Sequence, residues 1–257
     1  MITQADLKRY RALQQKKFRS ESGLFLVQGR KVVEEVLSSK FHVERLLASE
    51  EAAEFIGERA AAKKVPVQIL AGHELDRIGT LEKGNELIAI TAIPPEPASA
   101  KPGAGDLILA LDGIHDPRNM GGLLRIADWF GVAQVLCSKD CMEIWNPKCV
   151  QSTMGSLFRV PVRYVDLPTA LGTLRAAGAS LYAADMNGKP VFDVKLARPA
   201  VLVLGSESHG LSESVSEAAG MTVLSIPRVG HAESLNVAMA ASALCTEFTR
   251  QAVPPSR

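Results

Sequence analysis

The strongest constraint on the fold is a repeated alternation of short apolar runs with longer amphipathic stretches. In the back half of the chain DLILALD, AQVLCS, FRVPVRYVD, SLYAADM, AVLVLG and MTVLSIP read as strands. GGLLRIADWFG, the region around NPKCVQSTMGS, PTALGTLRAAGA and SESVSEAAG read as the helices between them. The first helix is expected to stop at Gly131, and the last to begin near Ser234. Uniformly apolar strands separated by helices predict a largely parallel sheet covered on both faces. The front half alternates less regularly. LFLVQGRKVVEEVLSS reads as strand into helix, HVERLLAS and VPVQIL as strands, EEAAEFIGERAAAKK and GHELDRIGT as helices, and NELIAITAI as a strand. That pattern predicts a small α/β or α+β sandwich.

Between the halves, IPPEPASAKPGAG at 93–105 carries four prolines and two glycines. Such density reads as a linker. The expected division is a front domain over 1–93, a linker over 94–105 and a back domain over 106–257. A chain of 257 residues has room for both.

Charge narrows the partners. The net charge is only +1, but residues 1–31 hold eight cationic side chains against two acidic ones, a local charge of +6. Lys8, Arg9, Arg11, Lys16, Lys17, Arg19 and Arg30 are the candidates for contact with a polyanion. No apolar run approaches the ~20 residues that span a bilayer, and the N-terminal stretch has no apolar signal-peptide core. A cytoplasmic protein is expected. Cys137, Cys141, Cys149 and Cys245 show neither a CxxC pair nor zinc spacing, so they are read as reduced structural thiols with no metal.

Ligands of such sheets bind beyond the carboxyl ends of the strands. GIHDPRNMGGLLR follows the first back-half strand, SESHGLS follows AVLVLG, and RVGHAESLN follows MTVLSIP. Strand-end loops beside helix N-termini offer free N–H donors. From Leu235 onward Val237, Ala238, Ala241, Leu244, Cys245 and Phe248 recur at helical spacing, and Ser234 stands where an N-cap belongs. Trp129, late in the first helix, is expected in the core. The P-loop, GxGxxG and GxSxG patterns are absent.

The three loops resemble the three motifs of the SpoU, or TrmH, family of RNA ribose 2′-O-methyltransferases of the SPOUT class. DPRNMGGLLRIADWFG carries Asn119, Gly121 and Arg125; LVLGSESHGLS carries Gly205, Glu207 and Gly210; IPRVGHAESLNVAMA carries Ile226, Pro227, Ser234, Leu235 and Asn236. STMGSLFRVPV between the first two is also similar to the family. The front half resembles, more loosely, a ribosomal-protein-like RNA-binding domain. This chain departs from many relatives at Gln151 and Arg228.

The resemblance implies an α/β SPOUT-type back domain with a deep trefoil knot that binds S-adenosylmethionine. Leu204, Gly205, Ile226, Pro227 and Leu235 would hold the cofactor. Asn119, Arg125, Glu207, Ser234 and Asn236 would form the catalytic set. Arg125 would steady a phosphate and the developing alkoxide, and Asn119 would orient Arg125 or the ribose. Either Glu207 or an RNA phosphate oxygen would take the proton. Ribosomal RNA of the 23S type is the expected substrate, with tRNA second, and a homodimer through the catalytic domain is expected. An RNA-binding protein of this fold with little activity, or an enzyme that methylates a base nitrogen, stays open.

Overall fold

The computed structural model describes residues 3–98, 101–206, 209–218 and 220–252. In chain order the front elements are α1 (Gln4–Ala12), α2 (Lys16–Ser22), β1 (Leu24–Gln28), α3 (Arg30–Ser38), β2 (Val43–Ala48), α4 (Glu50–Ala62), β3 (Val67–Ile69), α5 (Gly72–Ile78) and β4 (Leu87–Ala92). They continue as β5 (Leu107–Leu111), α6 (Pro117–Trp129), β6 (Gln134–Ser138), α7 (Pro147–Thr153), β7 (Val162–Val165) and α8 (Leu167–Ala176). The last are β8 (Ser180–Pro190), β9 (Ala200–Leu204), α9 (Glu213–Ala218), β10 (Thr222–Ser225) and α10 (Val237–Ala252). No described helix is long and apolar enough to cross a membrane.

Two compact units emerge. The first comprises Met1–Pro95 and Glu143–Arg159, the second Glu96–Met142 and Val160–Arg257. In the first unit the sheet order is β1-β4-β2-β3, with β4 antiparallel to both neighbours and β2 parallel to β3. Tyr10, Leu13, Leu75 and Ile78 pack with Leu26, Leu47 and Ile90 in one core cluster, which docks α1 and α5 on the sheet. The basic arm is thus helical, and its apolar side belongs to the core.

Glu143–Arg159 returns to this first unit, although the linear reading grouped it with the back domain. Aromatic partners explain the return. Trp145 lies 4.8 Å from Phe25 between ring centroids, and Phe158 lies 5.2 Å from Phe41. Glu143 also closes an ion pair with Arg19.

That ion pair corrects one expectation. Arg19 is only 2% exposed, and its guanidinium also donates to the Leu13 carbonyl at 2.7 Å. It is occupied inside the first unit and presents nothing to a phosphate. Arg30 is likewise engaged, with Glu51 at 2.6 Å and Glu86 at 3.4 Å. Lys8, Arg9, Arg11, Lys16 and Lys17 are exposed. Removing one partner of a buried pair leaves the other charge uncompensated. Arg19→Ala is therefore expected to lower stability by about 3 kcal/mol, read from the urea-unfolding midpoint. Lys17→Ala, which breaks the exposed 3.9 Å pair with Glu21 and an exposed contact with the Phe18 ring, is expected to shift it by less than about 1 kcal/mol.

The second unit holds a six-stranded sheet of order β10-β8-β9-β5-β6-β7, parallel throughout. Every residue of β5 and β9 is buried, as the uniformly apolar strands predict. Ile108, Ala110, Val201 and Val203 face a cluster with Leu171 and Leu174 of α8 and Val215 of α9. α10 packs against α6. A Cβ on Gly122 would stand 3.4 Å from the Ala238 Cβ, so those helices approach closely.

β10 pairs with β8 in two separate places. Thr222 and Val223 oppose Tyr182 and Ala183, and then Leu224 and Ser225 oppose Lys189 and Pro190. The Ser225 hydroxyl donates to the Gly188 carbonyl at 2.9 Å. A Cβ on Gly188 would fall 2.6 Å from the Leu224 backbone carbon, so the backbones nearly touch there.

Candidate active site at the strand ends

Because every strand of the second sheet is parallel, all its carboxyl ends lie along one edge. From β5 the chain proceeds outward to β6 and β7, then resumes at β8 on the far side of β9. The order reverses between β5 and β9, and a crevice forms at such a point. The loops after β5 and β9 flank it.

Asp112, directly after β5, joins these two loops. Its N–H donates to the Leu204 carbonyl at 2.9 Å, and its carboxylate accepts from the Ser212 N–H at 2.7 Å. Asp112 is buried, and sequence reasoning did not single it out. An acid ending an apolar strand gives a signal no different from an ordinary strand terminus.

The turn after β6 buttresses the same loop. The Gly113 N–H donates to the Ser138 hydroxyl at 2.9 Å, and the Ile114 N–H to the Cys141 sulfur at 3.3 Å. The Met142 N–H donates to the Ile114 carbonyl at 2.7 Å. Hydrogen bonding from the Cys137 side chain, then from Ser138 and the Ile114 amide, draws the Cys141 thiol down to about 7 against the effect of burial. The Ile114 N–H can be accepted by thiol or thiolate, so the anchor holds in either state.

The helix after this loop starts earlier than its apolar pattern suggests. Asp116 caps it, accepting from the N–H groups of Arg118 at 2.8 Å and Asn119 at 2.9 Å, with Pro117 in the first turn. Asn119 and Gly121 therefore stand on α6 itself. The Asn119 side-chain oxygen accepts from the Asn236 amide at 2.9 Å, which ties the first loop to the third.

Asn236 corrects the reading of the SLN segment. Its side-chain oxygen accepts from the Ala238 N–H at 2.9 Å and the Met239 N–H at 3.4 Å. It is the cap, and α10 begins at Val237. Ser234 lies two residues upstream, exposed, and the N–H groups of Ala238 and Met239 go to Asn236 instead. Leu235 is 51% exposed and adds nothing to the helix core. Asn236→Ala is expected to cost about 1 kcal/mol of stability through the lost cap and to slow any chemistry at this site at least tenfold. Asn236→Asp keeps the capping oxygen but loses the amide donor to Asn119. It should retain stability and still lose rate, which thermal melts and turnover assays read separately.

In the second loop, Leu204 is buried and Gly205 follows. A Cβ on Gly205 would fall 2.2 Å from the Gly210 carbonyl carbon. Ser206 and Gly210 exchange two backbone hydrogen bonds, at 3.0 and 2.9 Å, with Gly210 at a φ of +66°. Glu207 lies outside the described residues.

In the third loop, Ile226 is half-buried and Pro227 exposed. Arg228 donates to the Ala232 carbonyl at 3.2 Å and so braces the loop on itself. Among the described residues the main chains of Gly205, Ile226 and Leu235 make no backbone hydrogen bond. Each loop thus presents spare donors and acceptors beside apolar side chains.

Arg125 projects from α6 into solvent and forms neither an ion pair nor a hydrogen bond among the described residues. Asn119 does not hydrogen-bond Arg125 among the described residues. Trp129, one turn on, is 84% exposed and not in the core. Residues 125 and 129 share the outer side of α6, whereas Met120, Leu123, Leu124 and Ala127 face inward. Among the described residues no cluster of His, Cys, Asp or Glu could hold a metal ion.

Comparison with known proteins matches this arrangement. The family model of the SpoU rRNA Methylase family matches residues 106–246, and that of the MRM3-like substrate binding domain matches residues 4–89. The chain is 28% identical over 247 residues to the 23S rRNA (guanosine(2553)-2'-O)-methyltransferase RlmP of Bacillus subtilis, covering 93% of both chains. It is 30% identical over 246 residues to the 23S rRNA (uridine(2479)-2'-O)-methyltransferase of Streptomyces viridochromogenes, covering 91% of this chain and 85% of that one. The crystal structure of the SpoU methyltransferase AviRb from Streptomyces viridochromogenes in complex with AdoMet aligns with a TM-score of 0.86 at 27% identity, covering 97% of this chain and 98% of that one.

Proposed function

Since the chain belongs to the SpoU rRNA methylase family, we propose that it transfers a methyl group from S-adenosylmethionine to a ribose 2′-hydroxyl of large-subunit ribosomal RNA. The observation that carries this reading is the joining of three strand-end loops into one site, through Asp112 and the Asn119–Asn236 hydrogen bond. The 23S rRNA 2'-O-methyltransferase names of the relatives favour rRNA over tRNA.

The loops suit the cofactor. An adenosyl group offers an apolar face and a hydrogen-bonding edge. The main chains of Gly205, Ile226 and Leu235, which make no backbone hydrogen bond among the described residues, can meet the edge, while Leu204, Ile226, Pro227 and Leu235 can cover the face. The cofactor supplies a methyl group already activated on a sulfonium, so the protein must contribute alignment and a nucleophilic oxygen. Arg125, permanently charged and without an ion pair among the described residues, holds an RNA phosphate and stabilises the negative charge growing on the 2′-oxygen. Asn119 and Asn236 set the position of the ribose. Ser234, exposed in the third loop, binds ribose or cofactor through its hydroxyl. Glu207 or a phosphate oxygen takes the proton.

The same proposal includes a trefoil knot, supported by the double pairing of β10 along β8. It includes a homodimer through the catalytic unit, supported by the exposed Trp129, Phe192 and Met239. It places the enzyme in the cytoplasm, where rRNA is made and assembled. Lys8, Arg9, Arg11, Lys16 and Lys17 of the substrate-binding unit meet RNA phosphates. Incubation with labelled S-adenosylmethionine and separate pools of unmodified rRNA and tRNA tests the substrate. Label in large-subunit rRNA is expected, and label confined to tRNA would refute that choice.

A further inference from the structure

A second binding feature lies on the catalytic unit, away from the three loops. A groove of about 430 Å³ runs beside β7, the edge strand, along α8. Its floor includes Leu136, Val165 and Leu174, and Lys101, Lys139 and Arg163 stand around it. Lys101 and Lys139 form no ion pair among the described residues. The Arg163 Nε–H is buried without a hydrogen-bond acceptor, since Glu96 at 3.6 Å is too distant to be one. Asp166 also lines the groove, but its carboxylate is turned to its own helix and accepts from the Thr169 N–H at 3.2 Å. Arg163 is ion-paired with Glu96, and Lys139 is attracted to the Asp166 carboxylate, so Lys101 is the one cation of the three without an acidic neighbour among the described residues. An apolar floor with three cations around it suits a ligand with a flat apolar face and an anionic group. The volume falls within the roughly 300–1,000 Å³ of ordinary ligand pockets.

The groove is also mechanically joined to the active site. Lys139 sits on the turn after β6, between Ser138 and Cys141. Those two residues anchor Gly113 and Ile114 of the first loop. A ligand fixed at Lys139 is therefore held in register with the loop that leads into α6.

We propose that this groove binds a nucleotide of the substrate RNA outside the methylated position, with its base on the apolar floor and its phosphate against Lys101, Lys139 and Arg163. The inference rests on the RNA methyltransferase reading and assigns part of its substrate recognition to an edge of the catalytic unit that no loop motif reaches.

Two variants separate charge from shape. The first is Lys101→Ala combined with Lys139→Ala. The second is Thr173→Trp, which fills the groove from an exposed position on α8 and leaves the charge unchanged. The measurements are Kd for an unmodified large-subunit rRNA transcript across a salt series, Kd for S-adenosylmethionine, and kcat at saturating RNA. The double variant is expected to raise the RNA Kd about tenfold and to lower the slope of log Kd against log salt by about 2, near one per lost phosphate contact. Thr173→Trp is expected to raise the RNA Kd with the salt slope unchanged. Both should keep the cofactor Kd and kcat. If the unaltered enzyme transfers methyl and neither variant changes the RNA Kd, the groove proposal is overturned alone. If only the double variant weakens binding, nothing enters the groove and the proposal is again overturned. If the unaltered enzyme neither binds nor methylates RNA, the functional reading fails and takes the proposal with it.

Discussion

Replacing Arg125 with alanine is expected to slow methyl transfer to RNA by about 10²–10³-fold, the usual cost of removing one donor aimed at developing oxyanion charge. The thermal unfolding midpoint should not move. Arg125 is exposed on α6 and has no hydrogen bond or ion pair among the described residues, so the fold loses nothing with it. Cofactor affinity should also hold, because the groups assigned to the cofactor lie on the other two loops. Arg125→Lys is a sharper variant. It keeps the charge but loses the planar fork that grips a phosphate through two parallel bonds, so it should recover only part of the rate. A variant that methylates at the normal rate would remove Arg125 from the chemistry.

The second large effect is expected at Gly205. An alanine methyl there would fall 2.2 Å from the Gly210 carbonyl carbon and 2.5 Å from the Leu211 nitrogen. Both are backbone atoms, so no side chain can swing aside. The Ser206–Gly210 bridge must open and the second loop must shift. Gly205→Ala is expected to weaken S-adenosylmethionine binding at least tenfold, as read by calorimetry, and to cost about 1–3 kcal/mol of stability through overpacking. Gly172→Ala is the control. Nothing lies within 4 Å of a Cβ at Gly172, which stands inside α8, so that change should leave binding intact and stabilise by about 0.5–1 kcal/mol. Cofactor affinity unchanged in Gly205→Ala would sever the second loop from the pocket.

Much of this architecture was legible because it follows from burial. β5 and β9 are buried on both faces, and such strands must be apolar at every position. The helix stop at Gly131 was equally visible, since its φ of +62° favours glycine. Helix starts were less legible. The apolar stripe begins only where the helix meets the core, whereas α6 is launched earlier by Asp116 and Pro117. At α10 the expected cap is Ser234. Asn236 takes it because it sits directly before the first helical residue, a distinction of position that periodicity does not resolve.

Long-range pairing was the least legible. Arg19 reads like its cationic neighbours until Glu143, more than a hundred positions later, closes on it. The same holds for Phe25 and Phe41, whose partners Trp145 and Phe158 bring Glu143–Arg159 into the first unit. Trp129 shows the opposite error. Size and hydrophobicity argued for the core, but its place on the helix sends it outward. Of the candidate site, Asn119 and Asn236 were named from a resemblance, and the structure adds the hydrogen bond between them. Asp112, which joins the first loop to the second, became visible only in three dimensions.

The most direct test of the central claim locates the methyl group. Unmodified large-subunit rRNA would be incubated with the enzyme and labelled S-adenosylmethionine, digested to nucleosides and separated by mass spectrometry. The account predicts that the label appears as a single 2′-O-methylnucleoside, at a position resistant to alkaline cleavage, and that Arg125→Ala removes it. Label on a base nitrogen, with every ribose still cleavable, would contradict the assignment of the three-loop site to a 2′-hydroxyl.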